Sequence, residues 1–369
     1  MRIDSLHLED FRSYQDLTLE FDPVCNVICG ENAQGKTNLL EAMVCLSWGR
    51  SPRTRFDREL IRFGGEGYVI QGRLDSRGRT FVSRIQAAAG RKRKITVNGV
   101  PVKAAAELGQ VLGTVFFSPE DLLLIREGAA ARRRFMDASL CQLRPRYAGA
   151  LAEYNRLLEH KTRILRDSEE YPGLLDTLPD FNRRMAETGA VLIHYRCRFA
   201  RLLGQYAASA HGECSGGKEK LEVSYRTVSS VTDPFADMDR LTQQLLDHQR
   251  THHAAELAAR QCLSGPHKDD LEVKLGGLSA KSFASQGQTR TAALSLKLAA
   301  REIHREIMGE YPVLLLDDVL SELDPRRQEY VLNRIGGGQV FITCCEDDRL
   351  SALTAGRVFR VDAGTVTEL

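Results

Sequence analysis

The sequence predicts an α/β fold whose two halves come from the two ends of the chain, with a helical segment inserted between them. Three observations predict it. A glycine-rich loop near residue 30 stands between an apolar run and a helical pattern, and an apolar run near residue 315 ends in two aspartates. Between them, from about residue 130 to residue 210, the pattern is helix-like and rich in Arg, Leu and Ala. We therefore assign residues 1–130 and 260–369 to an α/β domain and residues 131–259 to a helical arm.

The first half of the α/β domain shows strand patterns separated by turns. Residues 2–8 and 17–21 alternate apolar and polar positions, which predicts two strands joined by a turn at residues 11–14. Residues 24–29 predict a buried strand, and the apolar spacing after Lys36 predicts a helix. Later strands are predicted at 68–70, 80–82 and 95–97, closed by the turn Asn98-Gly99, with a strand end and helix start at 116–121.

Local patterns also predict the elements of the inserted arm and of the second half of the α/β domain. The helical stretch is broken at residues 171–173, a polar loop covers 212–220, and an amphipathic helix covers about 238–262. The tail returns to an α/β pattern. Its predicted strands are 271–275, 313–316, 339–343 and about 358–361, and its predicted helices are 288–308 and about 325–335.

Composition limits the class of protein more than it identifies one. The chain has 369 residues, of which 43% are hydrophobic and 27% charged, which excludes disorder along most of its length. The net charge of +2 says little about partners. Nine cysteines without a C-x-x-C pair predict reduced, intracellular thiols that act as small buried apolar residues. No signal-peptide pattern and no apolar run of about 20 residues occur, so we expect a cytoplasmic protein without a membrane span.

A loop of the P-loop type follows the strand predicted at 24–29. Its residues are Gly30, Glu31, Asn32, Ala33, Gln34, Gly35, Lys36 and Thr37. Glycines let backbone N–H groups wrap around phosphate, and the following helix turns the positive end of its dipole toward the anion. In this pattern Lys36 binds the β- and γ-phosphates and the Thr37 hydroxyl binds Mg²⁺. The loop therefore predicts a bound ATP that all eight residues contact.

Two aspartates supply the acidic partner that a P-loop requires. The apolar strand at 313–316 delivers Asp317 to its carboxyl end, where open α/β sheets bind ligands. We expect Asp317 to hold Mg²⁺, directly or through water, and Asp318 to orient or deprotonate the attacking water. Nearly 280 residues separate this pair from the P-loop, far more than in a compact GTPase, so a large insertion lies between them.

A third motif precedes the long helix predicted at 288–308. Ser285, Gly287 and Gln288 match the signature Ser-x-Gly-Gln of ABC-type ATPases, although a plain loop with a helix cap explains the same residues. Residues 321–324 are similar to the D-loop of those ATPases. The order P-loop, signature, Asp-Asp and D-loop favours the ABC interpretation over the plain loop.

The motifs together resemble the RecF family of bacterial ABC/SMC-like ATPases, from the opening Leu8-x-x-Phe11-Arg12 to the D-loop. The segments that carry the resemblance are NAQGKTNLLEA at 32–42, FSPEDL at 117–122, GPHKDD at 265–270 and SQGQ at 285–288. It implies an ABC-type P-loop ATPase head, with a mixed sheet and a central helix, that carries an α-helical arm. It also implies DNA binding in recombinational repair of gaps, at stalled replication forks and in the SOS response, with RecO and RecR as partners.

The resemblance further implies how ATP is used. ATP binding drives a head-to-head homodimer, in which Ser285, Gly287 and Gln288 contact the γ-phosphate bound to the other subunit. A weak, DNA-stimulated ATPase then releases the dimer. The residues that carry catalysis on this basis are Lys36, Asp318 and Ser285.

The sequence departs from the family pattern at several positions. Thr289 stands where a second Gln is expected, and Lys268 where an Arg is expected. The switch region begins with Thr343, where ABC transporters carry a His, so the residue that senses the γ-phosphate is left open. Asp318 replaces the ABC Glu, which is compatible with slow turnover. Arg12 is carried over as a candidate phosphate contact, and an exposed turn Arg remains an equal alternative.

Two basic clusters predict contacts with a phosphate backbone. The first lies within 50–103, where fourteen Lys and Arg side chains face four acidic ones, and the second is Arg132, Arg133 and Arg134 with Arg144 and Arg146. A solvated charged face is the plainer interpretation of either cluster alone. Together they favour sequence-independent binding of duplex, single-strand or junction DNA. Few aromatic residues interleave the cations, which argues against a base-stacking groove.

Two other functions compete with the RecF-type interpretation. A chromosome-structuring SMC protein needs heptads sustained over many turns, and the helical stretch here is short and interrupted. The motor subunit of a membrane transporter predicts a switch His, a shorter spacing from P-loop to signature, and a membrane partner. The sequence supports none of these three features.

Overall fold

The computed structural model describes residues 1–320, 323–334, 336–345 and 356–369. In chain order its strands are β1 (Arg2–Phe11), β2 (Tyr14–Glu20), β3 (Cys25–Cys29), β4 (Gly67–Ser76), β5 (Arg79–Ala88), β6 (Lys94–Val97), β7 (Val100–Pro101), β8 (Thr114–Phe117), β9 (Leu221–Arg226), β10 (Asp270–Leu275), β11 (Leu278–Ser279), β12 (Val313–Leu316), β13 (Val340–Cys344), β14 (Arg357–Asp362) and β15 (Thr365–Glu368). Its helices are α1 (Lys36–Trp48), α2 (Leu123–Arg126), α3 (Ala129–Leu143), α4 (Pro145–Asp167), α5 (Leu178–Ser215), α6 (Met238–Ala259), α7 (Ala280–Phe283), α8 (Gln286–Met308) and α9 (Pro325–Arg334).

The chain divides into two compact units. We call residues 1–122 with 293–369 the head unit, and residues 123–292 the arm unit. Residues 123–130 lie in the arm unit, and so do residues 260–292, although the sequence assigns both segments to the α/β domain. The reason is a long-range strand pairing, because β10 pairs with β9 from Asp270 opposite Arg226 to Leu275 opposite Leu221. The arm unit is therefore not purely helical: it contains the antiparallel sheet β11-β10-β9.

The head unit contains two six-stranded sheets. One is antiparallel, with the order β2-β1-β4-β5-β6-β7, and its two-residue turn at Asn98-Gly99 has φ angles of 50° and 78°, as a tight hairpin requires. The other has the order β15-β14-β3-β13-β12-β8. Its strands β14, β3, β13, β12 and β8 run parallel and β15 is antiparallel, so the predicted mixed sheet is present.

Helix α1 is the central helix of the head unit. Leu39, Leu40, Met43 and Val44 are completely buried in one core with apolar residues of both sheets. Because the helix is covered on nearly all sides, its apolar residues are not confined to one stripe. Burial of this helix fixes the glycine loop at its N-terminal end.

The arm unit is built around α5, a helix of 38 residues. Its residues Ala186, Ala190 and Ile193 pack with Leu241 and Leu245 of α6. The break predicted at residues 171–173 lies between α4 and α5, where the chain forms a short 3₁₀ turn. No helix among the described residues is long and apolar enough to span a membrane. Of the nine cysteines, all except Cys141 and Cys345 are buried. This agrees with the prediction made from the absence of a C-x-x-C pair.

Candidate nucleotide-binding site

The glycine loop lies between β3 and α1 in a conformation that only glycine tolerates at two positions. Gly30 has φ 145° and Gly35 has φ 122°. A Cβ atom on Gly30 would lie 2.3 Å from the carbonyl oxygen of Val361, and one on Gly35 would lie 2.7 Å from Ser13 Oγ. Both glycines are therefore required by backbone geometry and by close packing, in addition to any approach of phosphate.

Lys36 holds the loop in a closed shape. Its side chain is buried, and Nζ donates to the carbonyl oxygens of Gly30 at 2.6 Å and Glu31 at 2.9 Å. The ammonium group thus lies inside the ring that the loop forms at the N-terminus of α1. A fixed cation beside exposed helix N–H groups is suited to binding phosphate.

Asp317 is the buried carboxylate at the carboxyl end of β12. Its Oδ1 accepts hydrogen bonds from Thr37 Oγ1 at 3.0 Å and from Thr343 Oγ1 at 2.9 Å. Burial raises the pKa of Asp317, the two hydroxyl hydrogen bonds lower it, and the neighbouring Asp318 raises it. The structure therefore brings together the predicted magnesium residues Thr37 and Asp317, which are 280 residues apart.

These two side chains have the chemistry that Mg²⁺ requires. The ion prefers hard oxygen ligands and commonly uses one or two carboxylates with water and substrate phosphates. One carboxylate and one hydroxyl at a P-loop fit that pattern. No group of three or more His, Cys, Asp or Glu side chains that could hold a metal occurs in the part of the chain that the structure describes.

Thr343 links the two aspartates. Besides donating to Asp317, its Oγ1 accepts the backbone N–H of Asp318 at 2.8 Å. Asp318 has φ 50°, an unusual value for a residue other than glycine, and this hydrogen bond holds it there. The sequence leaves the role of Thr343 open, and its contact follows from the strand order, which places β13 between β3 and β12.

Arg12 lies in the β1–β2 turn and contacts a buried glutamate. Its Nε and Nη2 bind the carboxylate of Glu41 at 2.9 and 2.8 Å, and Nη1 donates to the carbonyl oxygen of Glu59 at 2.7 Å. Glu41 is completely buried in α1, so this bidentate pair anchors the turn to the helix. Arg12 is thus more than an exposed turn residue. Its contact with phosphate stays a prediction.

Two further contacts, which the sequence did not predict, support the loop. Tyr14 donates its hydroxyl to the carbonyl oxygen of Gly35 at 3.0 Å. Gln34 accepts the backbone N–H of Ala363 at 2.6 Å, which ties the loop to the β14–β15 turn. Glu31, Asn32 and Ala33 are exposed. The turn that holds Ala363 lies more than 300 residues from the loop in sequence, so no local pattern indicates this contact.

The signature residues belong to the arm unit. Ser285 is exposed and forms a reciprocal cap with Gln288: Ser285 Oγ accepts the Gln288 N–H at 3.3 Å, and Gln288 Oε1 accepts the Ser285 N–H at 2.8 Å. Gln288 Nε2 also donates to Glu219 at 2.8 Å, and Gly287 is half-buried. The helix-cap geometry is present, and it leaves the serine facing solvent at the start of α8. Of the predicted D-loop, Ser321 and Glu322 lie outside the described residues.

Part of the second basic cluster is structural. Arg132 is buried and binds Asp270 through Nε and Nη2 at 2.7 and 2.9 Å, and Arg133 donates to the carbonyl oxygen of Asp269 at 2.6 Å. Two of its five cations are therefore bound within the arm unit, and the other three, Arg134, Arg144 and Arg146, are exposed. Their contact with DNA stays a prediction. In the first cluster Arg50, Arg55 and Arg58 are exposed.

Known proteins are similar to this chain over its whole length. The family model described as the RecF/RecN/SMC N-terminal domain matches residues 2–366. The protein named DNA replication and repair protein RecF of Acetivibrio thermocellus is 38% identical over 366 residues, which cover 99% of each chain. Its namesake in Lactobacillus johnsonii is 37% identical over 382 residues, covering 100% of this chain and 99% of the relative.

Solved structures are also similar to this chain. A structure of the recombination mediator protein RecF-ATP in the RecFOR pathway has a TM-score of 0.92 and 33% identity, and covers 100% of this chain and 97% of that one. An Smc head bound to the C-winged helix domain of ScpA has a TM-score of 0.56 at 14% identity, which shows a common fold alone. The predicted ABC/SMC-type head fold is confirmed.

Proposed function

The chain belongs to the RecF family, and we propose that it is an ATP-dependent DNA-binding protein of recombinational repair. It acts at gaps and stalled replication forks and in the SOS response. One observation carries the proposal: the P-loop threonine Thr37 meets Asp317 from the far end of the chain at 3.0 Å, in a protein similar along its full length to RecF solved with ATP.

ATP and Mg²⁺ are the ligands that suit this site. Residues 30–37 surround the phosphates, with the Lys36 ammonium on the β- and γ-phosphates. Thr37 and Asp317 hold the ion, which supplies charge neutralisation for phosphoryl transfer. Asp318 orients the attacking water, and Arg12 contributes a phosphate contact beside the loop.

A second copy of the chain completes the catalytic site. Ser285 is exposed at the N-terminus of α8, where a hydroxyl, a glycine N–H and the helix dipole together suit a γ-phosphate. We assign Ser285, Gly287 and Gln288 to the nucleotide of the partner copy. ATP then acts as a switch, because it binds the dimer better than the separate heads. Weak, DNA-stimulated hydrolysis returns the heads to the separate state.

DNA and two proteins are the proposed partners. Arg50, Arg55 and Arg58 supply exposed cations for sequence-independent contacts with duplex or junction backbones. RecR and RecO are proposed because a relative is described as part of the RecFOR pathway. The proposed location is the cytoplasm, where chromosomal DNA is repaired.

DNA binding measured with and without ATP, at two salt concentrations, tests the proposal. We expect ATP to tighten binding and salt to weaken it steeply. Lys36→Met should lose ATP binding and the ATP-dependent dimer seen by sedimentation, whereas Ser285→Arg should keep ATP binding and lose only the dimer. Normal dimerisation of Lys36→Met with ATP would contradict the switch. DNA affinity that does not respond to ATP in the wild-type protein would contradict the function itself.

A further inference from the structure

Phe63 is the most exposed large apolar side chain among the described residues, with 99% of its surface accessible. It lies in the loop that leads from Ile61 to β4. Single exposed apolar residues are common on protein surfaces and by themselves indicate nothing. The chain segment that precedes Phe63 distinguishes it from such single residues.

The segment that precedes Phe63 presents unpaired cations and a second aromatic ring. Arg50, Arg55 and Arg58 are exposed, and no carboxylate in the described part of the chain lies within 4.0 Å of their nitrogens. Phe56 is 57% exposed, and the Arg58 guanidinium lies 5.2 Å from the centre of its ring.

The acidic residues of this segment are already engaged. Asp57 binds Arg93 at 2.9 Å, and Glu59 accepts a hydrogen bond from Thr54. Arg93 therefore offsets the charge of Asp57, whereas the neutral hydroxyl of Thr54 does not offset that of Glu59. Residues 50–63 therefore carry three exposed arginines that have no ion pair in the described part of the chain and two exposed aromatic rings, beside the exposed carboxylate of Glu59. This set of side chains suits an anionic partner with flat apolar groups.

The chain on the N-terminal side of Phe63 is rigidly held. Arg62 donates its backbone N–H to the Asp10 carbonyl oxygen at 2.7 Å and its Nε to the Asp10 carboxylate at 2.7 Å, and Ile61 bridges to Phe11. The phenyl ring therefore projects from a fixed base. This backbone position keeps the ring in solvent, where a ligand can reach it.

We propose that Phe63 contacts nucleic-acid bases, so that the protein binds DNA with an unpaired base or a readily unstacked step more tightly than continuous duplex. This inference rests on the proposed DNA-binding function and adds the class of DNA that the site selects. The exposed arginines hold the phosphate backbone without regard to sequence, and the ring stacks on a base or wedges between two. The scarcity of aromatics in this basic region argued against base stacking, but two of them are exposed within eight positions of each other.

Two fluorescent duplexes of identical sequence test the inference, one continuous and one with a single unpaired base, each titrated with the full chain and ATP. The wild-type protein should prefer the duplex with the unpaired base. Phe63→Ala should weaken binding to that duplex about tenfold, as expected for the loss of stacking on one base, and change binding to the continuous duplex by less than about twofold. Tyr171→Ala, which removes a 58% exposed ring in the arm unit, should change neither affinity.

Phe63→Trp provides a direct readout. It should keep the preference, and the indole fluorescence that it adds should be quenched by the unpaired base. The natural protein has one tryptophan, Trp48, which packs against the core of the head unit, and its signal is subtracted.

Three results would overturn the inference while leaving DNA binding intact. The first is that Phe63→Ala binds both duplexes with unchanged affinity, and the second is that it loses the same affinity for both. The third is that Phe63→Ala keeps the preference for the unpaired base but no longer dimerises, which would assign the ring to a contact with a second copy of the chain. Failure of the wild-type protein to bind either duplex would instead overturn the proposed function, and this inference with it.

Discussion

The two units each contain a buried aspartate, and the two aspartates have opposite surroundings. Asp317 of the head unit accepts two threonine hydroxyls, and no Lys, Arg or His nitrogen in the described part of the chain lies within 4.0 Å of it. Asp269 of the arm unit binds Arg196 at 2.9 Å and accepts the hydroxyl of Tyr225. Both are at most 5% exposed.

The difference indicates what each carboxylate does. A buried charge costs several kcal/mol unless an opposite charge and hydrogen bonds compensate it. The positive charge of Arg196 compensates that of Asp269. Because Arg196 also binds Asp137 and the carbonyl oxygen of Pro266, this network joins separate parts of the arm unit. In the described part of the chain no cation lies within 4.0 Å of Asp317, and Arg53 lowers its pKa only from a longer distance, which fits a residue whose positive partner is a bound ion. We infer that Asp269 stabilises the fold and Asp317 serves the nucleotide.

Arg196→Met should give the largest effect, on stability. Burial would lower the pKa of Arg196, but Tyr147, Asp137 and Asp269 hold it well above its usual range, so the charge is firmly kept. Removing the cation leaves buried carboxylates uncompensated and should lower the free energy of unfolding by about 3–5 kcal/mol. Urea unfolding followed by circular dichroism measures it. Arg183→Met removes an exposed arginine of the same helix as the control, and equal losses in the two variants would contradict the comparison.

Asp317→Asn should give the complementary result. ATP hydrolysis should fall at least about a hundredfold because the amide binds Mg²⁺ poorly, equivalent to a barrier higher by about 2.7 kcal/mol. Stability without nucleotide should stay unchanged or increase, because the substitution removes a buried charge that has no ion pair in the described part of the chain. Steady-state hydrolysis over a magnesium titration and urea unfolding measure the two quantities. Asp16→Asn at an exposed carboxylate is the control, and a large loss of stability in Asp317→Asn would mean that Asp317 is structural.

Thr343→Val sharpens the comparison by removing one hydroxyl without changing the shape of the side chain. Asp317 loses one hydrogen bond and the backbone N–H of Asp318 loses its acceptor, so hydrolysis should fall about tenfold. Thr343→Ser should restore most of the activity, because it returns the oxygen. Failure of serine to rescue would indicate that the methyl group, and not the hydrogen bonds, matters at this position.

The pH dependence of stability should show the smallest effect. Burial raises the pKa of Asp317 above its value in the unfolded chain, so between these two values the folded protein binds the proton more tightly. The contribution of Asp317 to stability is therefore full below the unfolded pKa and is lost as pH rises through the folded pKa. The stability of Asp317→Asn relative to wild type, measured in urea at a series of pH values without nucleotide, should increase as pH rises. A difference that does not vary with pH would show that the pKa of Asp317 is the same in the folded and the unfolded protein.

Much of the head unit could be predicted because its signals are local. The P-loop strand, the helix after Lys36, the strand at 313–316 and the Asn98-Gly99 hairpin each lie within a few consecutive residues, whose spacing defines period and turn type. The helical break near 171–173 was likewise visible from Pro172 and Gly173. In the arm unit, local patterns predicted the strand at 271–275 but not the strand that pairs with it. Without that pairing, the sequence could not show that residues 271–275 belong to the arm unit.

The sequence by itself identified the family and predicted the chemistry proposed for this protein: which loop holds phosphate and which acidic pair follows a buried strand. Those properties belong to neighbouring residues and survive in any fold that keeps the segment intact. The tertiary structure decided which distant residues meet. It placed Thr343 between the two aspartates, bound Arg132 to Asp270 and Arg133 to the Asp269 carbonyl oxygen, gave residues 260–292 to the arm unit, and left Phe63 in solvent. The physical reason is that strand order and burial arise from pairing and packing across hundreds of residues, which no local spacing records.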